Sequence, residues 1–238
     1  MSLAGIDFAR VKLVTFDVGG TLLTPHPGVG EVYAEILLTH GVTIKAADIN
    51  KRFPEIFKKI RENRAPQKIT EETEYAFWRE VVQHCIQPEC PTSLFESIYK
   101  QLWTEFSFAR CWRPLPGAPE LLGALAKIND RKIAVLSNWD GRLRSVLKEL
   151  NWDRQLAGIF ISSELGAEKP SLKVFRAVEQ TMQVPPSACL HVGDSYVQDY
   201  RAALAANWQA TLYSDTAPAN EPAAAIFNHF HDLIPYLT

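Results

Sequence analysis

Asp17 stands at the end of the apolar run Leu13-Val-Thr-Phe16 and is followed closely by Gly19-Gly20-Thr21. Such a run suits a buried parallel strand, and the two glycines let the backbone turn sharply at its carboxyl end. In open α/β sheets ligands bind at that end, which makes Asp17 a candidate nucleophile. Three later segments carry chemistry that complements it. In Leu136-Ser137-Asn138 a small hydroxyl at a strand end can hydrogen-bond an anionic oxygen, although a serine there is as readily a loop residue or a helix cap. In Glu168-Lys169-Pro170 the lysine can counter phosphate or carboxylate charge, while the proline suits a first helical turn. The segment Val192-Gly193-Asp194 through Asp199 ends a strand in a glycine and then carries two acids about one helical turn apart. Beside a third carboxylate, two such acids suit a hard divalent cation, which takes oxygen ligands. Two like unit charges about 4 Å apart repel by roughly 4 kcal/mol at an effective dielectric near 20. Asp17, Asp194 and an incoming phosphate therefore need compensation, and Mg²⁺ together with Lys169 would provide it.

The elements that must position these residues follow from periodicity. After the opening strand, Pro25-His26-Pro27-Gly28 breaks regular structure. Val32, Tyr33, Ile36 and Leu37 then recur at helical spacing, with Gly41 as the stop. Further helices are predicted from about Ala46 to Arg64, Thr70 to Ile86 and Thr92 to Phe106, with no strand between Pro27 and about Arg113. From Pro119 the pattern turns to alternating helices and short apolar strands, the mark of a parallel sheet covered by helices. Helices are predicted at Pro119–Ile128, Gly141–Leu150, Ser171–Met182, Val197–Ala206 and Phe230–Leu237. Strands are predicted at Ile133–Leu136, Ile159–Ser162, Ala188–Val192 and Gln209–Tyr213, and a loop at Asn220–Ala225. The expected fold class is α/β, a Rossmann-like parallel-sheet core with an all-helical cap inserted after the first strand. The core takes residues 1–27 and 114–238, and the cap 28–113.

Composition narrows the function classes. With 238 residues, 47% hydrophobic and 22% charged, the chain can bury one large core or a core carrying an insertion. A net charge of -2 and a pI near 6.3 give no global field for nucleic acid or anionic membrane, so phosphate recognition must be local. Cys85, Cys90, Cys111 and Cys189 form no CxxC pair and read as reduced thiols. No stretch approaches eighteen apolar residues and no charged start precedes an apolar core, so a soluble, cytoplasmic protein is expected. Oligomeric state is open at this level.

In this order and with helix-strand units between them, the four segments resemble the motifs of the haloacid dehalogenase (HAD) superfamily. Asp17-Val-Gly-Gly-Thr21 resembles the first motif, Ser137 the second, Lys169-Pro170 the third and Gly193-Asp194 through Asp199 the fourth. The helical insertion looks like a C1 cap of subfamily I, and the Asp17-Val-Gly-Gly-Thr21 and Ser137-Asn-Trp-Asp140 forms look most like its rhythmically-expressed-gene-like branch within subfamily IA. The resemblance implies a magnesium-dependent hydrolase acting on a small phosphorylated metabolite, with Asp17 attacking phosphorus to form a phospho-aspartyl intermediate. It implies that Gly20, Thr21, Ser137, Asn138 and Lys169 surround the phosphate, with Asp17, Ser137 and Lys169 catalytic. It further implies a cation held by Asp17, the backbone carbonyl of Gly19, Asp194 and, directly or through water, Asp199.

One position departs from the pattern. Phosphatases of this type carry a second aspartate two residues after the nucleophile as general acid and base, and here that position is Gly19. Such help is typically worth about 10² to 10⁴ in rate. Three readings compete: a phosphatase restricted to good leaving groups such as acyl or aryl phosphates, a dehalogenase- or phosphonatase-like hydrolase, or a phosphate- or partner-binding pseudoenzyme. The dehalogenase reading is weakened by Gly193-Asp194. The phosphonatase reading needs a cap lysine, for which Lys45, Lys51, Lys58, Lys59 and Lys68 are available, although this basic run also suits a solvated helix face. Asp140 and His26 are candidate replacements for the acid by position, although Asp140 is better suited to cap the helix that follows. Phe77, Trp78, Trp103 and Trp112 suit either cap packing or a pocket wall.

Overall fold

The computed structural model describes residues 3–65, 67–219 and 224–238. Strand β1 (Leu13–Phe16) is buried along its whole length, as its largely apolar residues require of a central parallel strand, with Thr15 the one polar member. It pairs in parallel with β4 (Lys132–Ser137) on one side and β6 (Cys189–Gly193) on the other. Adding β5 (Gly158–Ile161), β7 (Gln209–Tyr213) and β8 (Ile226–Phe227) gives, among the described residues, a six-stranded parallel sheet in the order β5-β4-β1-β6-β7-β8. Strand alternation sorts β1 onto two faces. Val14 and Phe16 join one apolar cluster with Leu121, Leu143 and Phe230, while Leu13 joins the other with Phe175, Val178 and Trp208. Each fully buried side chain of this size contributes roughly 1.5–3 kcal/mol. The sheet is thus held from both sides, and its carboxyl edge is the firm rim on which the site is built.

Between β1 and residue 112 the chain leaves the sheet, among the described residues, as four helices: α1 (Val29–Thr39), α2 (Ala46–Glu62), α3 (Glu71–Ile86) and α4 (Thr92–Glu105). They enclose a third apolar cluster around Leu37, Ile49, Val81, Ile86 and Ile98. At the start of α3 the Thr70 hydroxyl accepts from the Thr73 amide while the Thr73 hydroxyl accepts from the Thr70 amide, so two orphan donors are satisfied reciprocally. One expectation fails here. Trp112–Pro114 forms a strand, β3, paired antiparallel with β2 (Leu23–Pro25), so the chain's exit to the cap and its return are zipped together. Prolines at Pro25 and Pro114 hide strands this short, because they end the pairing that they border.

Back in the core, α5 (Ala118–Leu125), α6 (Arg142–Glu149), α7 (Ser162–Leu165) and α8 (Leu172–Met182) alternate with β4 and β5. After β6 the chain makes a π-helical segment at Tyr196–Arg201 that runs on as α9 (Ala202–Ala205), and a turn at Phe230–Leu233 leads into α10 (Ile234–Leu237). Helix α8 starts one residue later than expected, because Ser171 is its cap, its hydroxyl accepting from the Lys173 amide, and Pro170 therefore precedes the helix and does not lie in its first turn. Of the loop expected at Asn220–Ala225, residues 220–223 lie outside the described residues, and Ala224 and Ala225 are buried without regular structure. Strand β8, only two residues long, was not expected; it adds the sixth strand beside β7. No helix among the described residues is long and apolar enough to cross a membrane.

Candidate active site

Asp17 follows β1 directly, and its amide still donates to Val192 of β6 at 2.8 Å, so the carboxylate is fixed at the carboxyl edge of the sheet. Ser137, the last residue of β4, donates from Oγ to Asp17 Oδ1 at 2.9 Å. Lys169 comes from the loop between α7 and α8 and is almost fully buried. Its Nζ donates to Asp17 Oδ1 at 2.8 Å and to Asp199 Oδ1 at 2.5 Å. Asn138 clamps that lysine loop in place: its Oδ1 accepts from the Lys169 amide at 2.8 Å and its Nδ2 donates to the Lys169 carbonyl at 2.9 Å. Both ends of the Asn138 amide are thereby occupied, and its contact with any phosphate is limited to what that clamp leaves. Oδ1 of Asp17 takes two hydrogen bonds, and among the described residues none is found on Oδ2.

Asp199 lies on the π-helical segment, a wide turn of a kind frequent at functional sites. Its Oδ1 also meets His191 Nε2 at 3.0 Å, and its Oδ2 accepts from the Ser195 amide at 2.9 Å. Burial alone would raise its pKa, but Lys169 and His191 hold the carboxyl well below the usual carboxylate range. Burial of Lys169 opposes its charge, yet Asp17 and Asp199 raise its pKa above the ordinary lysine value, so the ammonium persists. His191 is pushed down by burial, with Asp199 opposing. An ionised Asp199 can only accept, so His191 donates from Nε2 and accepts at Nδ1 from Thr15 Oγ1, 2.8 Å away. Thr15 and His191 are register partners on β1 and β6. Neither residue was singled out from sequence; the available signal was a histidine inside the apolar strand Cys189-Leu-His-Val-Gly193.

Asp194 is the open member of the group. Thr21 Oγ1 donates to its Oδ1 at 3.2 Å, so Thr21 orients an acid as well as bordering the nucleophile turn. One ligand oxygen each from Asp17, Asp194 and Asp199 lie within 4.8 Å of one another. That crowding has an electrostatic cost. The Asp194 carboxyl is pushed up to about 6 by desolvation first and then by Asp17 and Asp199, although solvent on its open side screens the repulsion. Two glycines make the approach possible. A Cβ on Gly193 would stand 2.2 Å from Asp199 Cγ, and one on Gly20, whose φ is +84°, would stand 2.5 Å from Asp194 Oδ2. Gly20→Ala therefore forces Asp194 aside and strains the backbone. The expected loss is about 1–2 kcal/mol from the left-handed conformation alone, checked by urea unfolding.

Above this group is a cavity of about 410 Å³ between core and cap. Its floor is Asp17, Gly19, Gly20, Ser137, Asp194 and Asp199, and its cap wall is strongly aromatic. Phe77, Trp78, Trp103 and Trp112 all line it, joined by Phe53 and Phe57. Two guanidiniums of α2 and the turn after it, Arg61 and Arg64, also reach it. Arg64 Nη1 lies 2.7 Å from Glu74 Oε1, and burial raises the Glu74 carboxyl despite Arg64. Lys45, Lys51, Lys58, Lys59 and Lys68 are all exposed, and none of them lines the cavity. The Schiff-base lysine of the phosphonatase reading is therefore not among them.

Neither candidate replacement acid reaches the floor. His26 is exposed and lines no part of the cavity. Asp140 is fully buried. Its Oδ1 accepts from the Arg142 amide and from Arg142 Nε at 2.7 Å, and its Oδ2 accepts from Arg142 Nη2 at 2.8 Å. It takes the first amide of α6 and holds Arg142, whose guanidinium stacks 3.6 Å from the centre of the Trp103 ring, both residues lining the cavity. The four cysteines are buried and unpaired. Burial pushes Cys85, Cys111 and Cys189 up to about 12, so none offers a thiolate nucleophile.

The family model for haloacid dehalogenase-like hydrolases matches residues 11–207. The chain belongs to this family. Among curated relatives the hydrolase is 29% identical over 214 residues to haloacid dehalogenase-like hydrolase domain-containing protein 3 of Mus musculus, covering 88% of this chain and 84% of that protein. It is 28% identical over 227 residues to the Rhythmically expressed gene 2 protein of Drosophila melanogaster, covering 90% and 86% respectively. Its fold is similar to that of a defluorinating L-2-haloacid dehalogenase, with a TM-score of 0.76, 17% identity and 95% of each chain covered. Phosphatases and dehalogenases both occur among the similar folds, so kinship alone does not choose the hydrolase's reaction.

Proposed function

We propose that this hydrolase cleaves small phosphate monoesters by nucleophilic attack from Asp17, with Mg²⁺ as cofactor. The observation that carries the reading is the trio Asp17, Asp194 and Asp199, whose oxygens lie within 4.8 Å of one another. An all-oxygen donor set with accumulated negative charge fits a hard divalent cation. Asp17, Asp194 and the Gly19 carbonyl would hold it, with Asp199 acting through water because both its oxygens are already hydrogen-bonded. Bound there, the cation supplies neutralisation for the phosphoryl oxygens. Displacing halide brings no phosphoryl oxygens into the site and has no such need.

The residues divide the work by position. Ser137 and Lys169 fix Asp17 through Oδ1, which restricts its rotamer and presents a carboxylate oxygen to phosphorus. Lys169 also carries a positive charge to the phosphoryl group. The Asp17 oxygen bonds to phosphorus as the ester P–O bond breaks, and the electron pair departs on the ester oxygen. Water then adds to phosphorus, its proton passes to solvent, and inorganic phosphate leaves with Asp17 restored. Buried His191, neutral and bridged by Thr15, holds Asp199 from behind without entering the reaction.

The test is hydrolysis of a phosphate panel with Mg²⁺ and with chelator. Steady turnover that chelator abolishes is expected; tight phosphate binding without turnover would favour a binding protein instead, a reading that Gly19 in place of an acid supports. The Asp194 shift adds a pH signature. Its folded pKa of about 6 lies above the ordinary 3.8, so in cation-free protein this group favours the fold below about pH 4 and loses that contribution as pH rises through 6. Cation binding needs the carboxylate. Mg²⁺ affinity, measured by calorimetry, is expected to fall about tenfold per unit below pH 6, and the stabilisation by Mg²⁺ to grow between pH 5 and 7.

A further inference from the structure

We propose that the Trp139 indole borders the space that a side chain at position 19 would enter and, together with the aromatic cap wall, shapes the site for aryl phosphate esters. The inference rests on the phosphohydrolase reading of Asp17. A Cβ on Gly19 would lie 3.5 Å from Cζ3 and 4.0 Å from Cε3 of Trp139. The first carbon of a side chain would thus stand in ordinary van der Waals contact with the ring, and a carboxyl group beyond it would share its surroundings with the indole. Position 19 therefore faces an aromatic ring. An aromatic wall stands beside the nucleophile where a proton donor is missing.

That wall is anchored from two sides. The Trp139 amide donates to Ser162 Oγ at 3.0 Å, and its carbonyl accepts from Ser162 Oγ at 2.9 Å and from the Ser163 amide at 3.3 Å. Its ring packs against Trp112 of β3 with centroids 4.6 Å apart, and the Trp112 indole in turn donates to the Phe106 carbonyl at 3.1 Å. Trp139 and Trp112 continue into the aromatic cap wall that includes Phe53, Phe57 and Trp78. A cavity of about 410 Å³ has room for an aromatic group, and such walls favour one over a polar chain.

The chemistry closes the inference. When Asp17 displaces the ester oxygen without a proton donor, the electron pair must leave as a free oxyanion. A phenolic oxygen, with a pKa of about 10, leaves as aryloxide and takes its proton later from water. An alkoxide, with a conjugate acid near that of water at about 16, does not. A site with an indole over Gly19 and an aromatic roof therefore selects the leaving group twice, by binding and by departure.

Three substrates separate these effects in the unmodified, magnesium-loaded protein: phenyl phosphate, benzyl phosphate and n-butyl phosphate. Benzyl phosphate keeps the ring but leaves as an alkoxide. We expect kcat/KM to fall at least 10²-fold from phenyl to benzyl and about tenfold more from benzyl to butyl. Gly19→Asp alone is expected to gain under tenfold on benzyl phosphate, whereas Gly19→Asp with Trp139→Ala gains 10²–10⁴-fold, with near-ultraviolet circular dichroism verifying each fold. Equal rates on phenyl and benzyl phosphate overturn the inference while leaving the phosphohydrolase reading intact, and so does a full gain from Gly19→Asp alone or none in a folded double variant. Turnover of no phosphate at all overturns both. The substrate comparison needs no variant, so the inference stands or falls even where a variant does not fold.

Discussion

Asp17→Asn is expected to lower turnover of phenyl phosphate by 10⁴-fold or more, since removing the nucleophile of a hydrolase can cost on the order of 10⁶ in kcat. Asparagine matches aspartate in shape and still accepts from Ser137 and Lys169 through its carbonyl, the two bonds that hold Oδ1. Its amide is a poor nucleophile and would not restore itself after phosphoryl transfer. The effect on stability is expected to be small, because one counter-charge of Lys169 is lost while Asp199 remains at 2.5 Å. A second readout distinguishes loss of chemistry from loss of structure. Asp17 is one cause of the raised Asp194 pKa, so in the variant Asp194 should titrate closer to the ordinary carboxylate range, measurable by carbon-detected nuclear magnetic resonance.

Lys169→Met is the other large effect, and it falls on folding as well as on turnover. The ammonium lies between Asp17 and Asp199, both buried. Removing one partner of a buried ion pair typically costs about 3–5 kcal/mol, because the charge left behind stays desolvated. Asp199 makes the sign of the pH dependence explicit. Its folded pKa is depressed, chiefly by Lys169 against the effect of burial. Native Asp199 thus contributes stability above the unfolded value of about 3.9 and loses it as pH falls through its folded pKa. Without Lys169 that contribution disappears. Urea unfolding should show the largest deficit of the variant at pH 7 and a shrinking deficit towards pH 4, as the orphaned Asp199 carboxylate takes up a proton. Turnover should fall by at least 10². A variant as stable as the native protein at pH 7 would mean that the lysine does not neutralise these acids.

The alternation of apolar runs and amphipathic segments made the sheet and its helical insertion legible, and three of the four chemistry-bearing segments, those of Asp17, Ser137 and Asp194, could be placed at strand ends, where ligands collect, whereas the Lys169 segment lies in the loop between α7 and α8. Contacts across the sheet were less visible. Thr15 and His191 are far apart in sequence and meet only through the β1–β6 register, which short apolar runs do not specify. Asp140 was read as a cap or an acid; the deciding fact is Arg142, two residues on, which takes both its oxygens. The cap aromatics carried two readings because helical spacing says that residues share a face, not what that face covers. A stripe was nonetheless present in the chain: Phe53, Phe57, Arg61 and Arg64 recur at about one helical turn, and all four line the cavity. The exposed lysines Lys58 and Lys59 lie between them on the solvent side. Trp139 carried no sequence signal for its place over Gly19, since that contact depends on how the loop after β4 is pinned by Ser162.

Mass spectrometry of protein quenched in acid during turnover of phenyl phosphate tests the central claim most directly. The account predicts one phosphoryl group on the peptide that contains Asp17, formed only with Mg²⁺ present and absent from Asp17→Asn. Steady hydrolysis with no phosphoryl group on that peptide, or with turnover unchanged in Asp17→Asn, would contradict it.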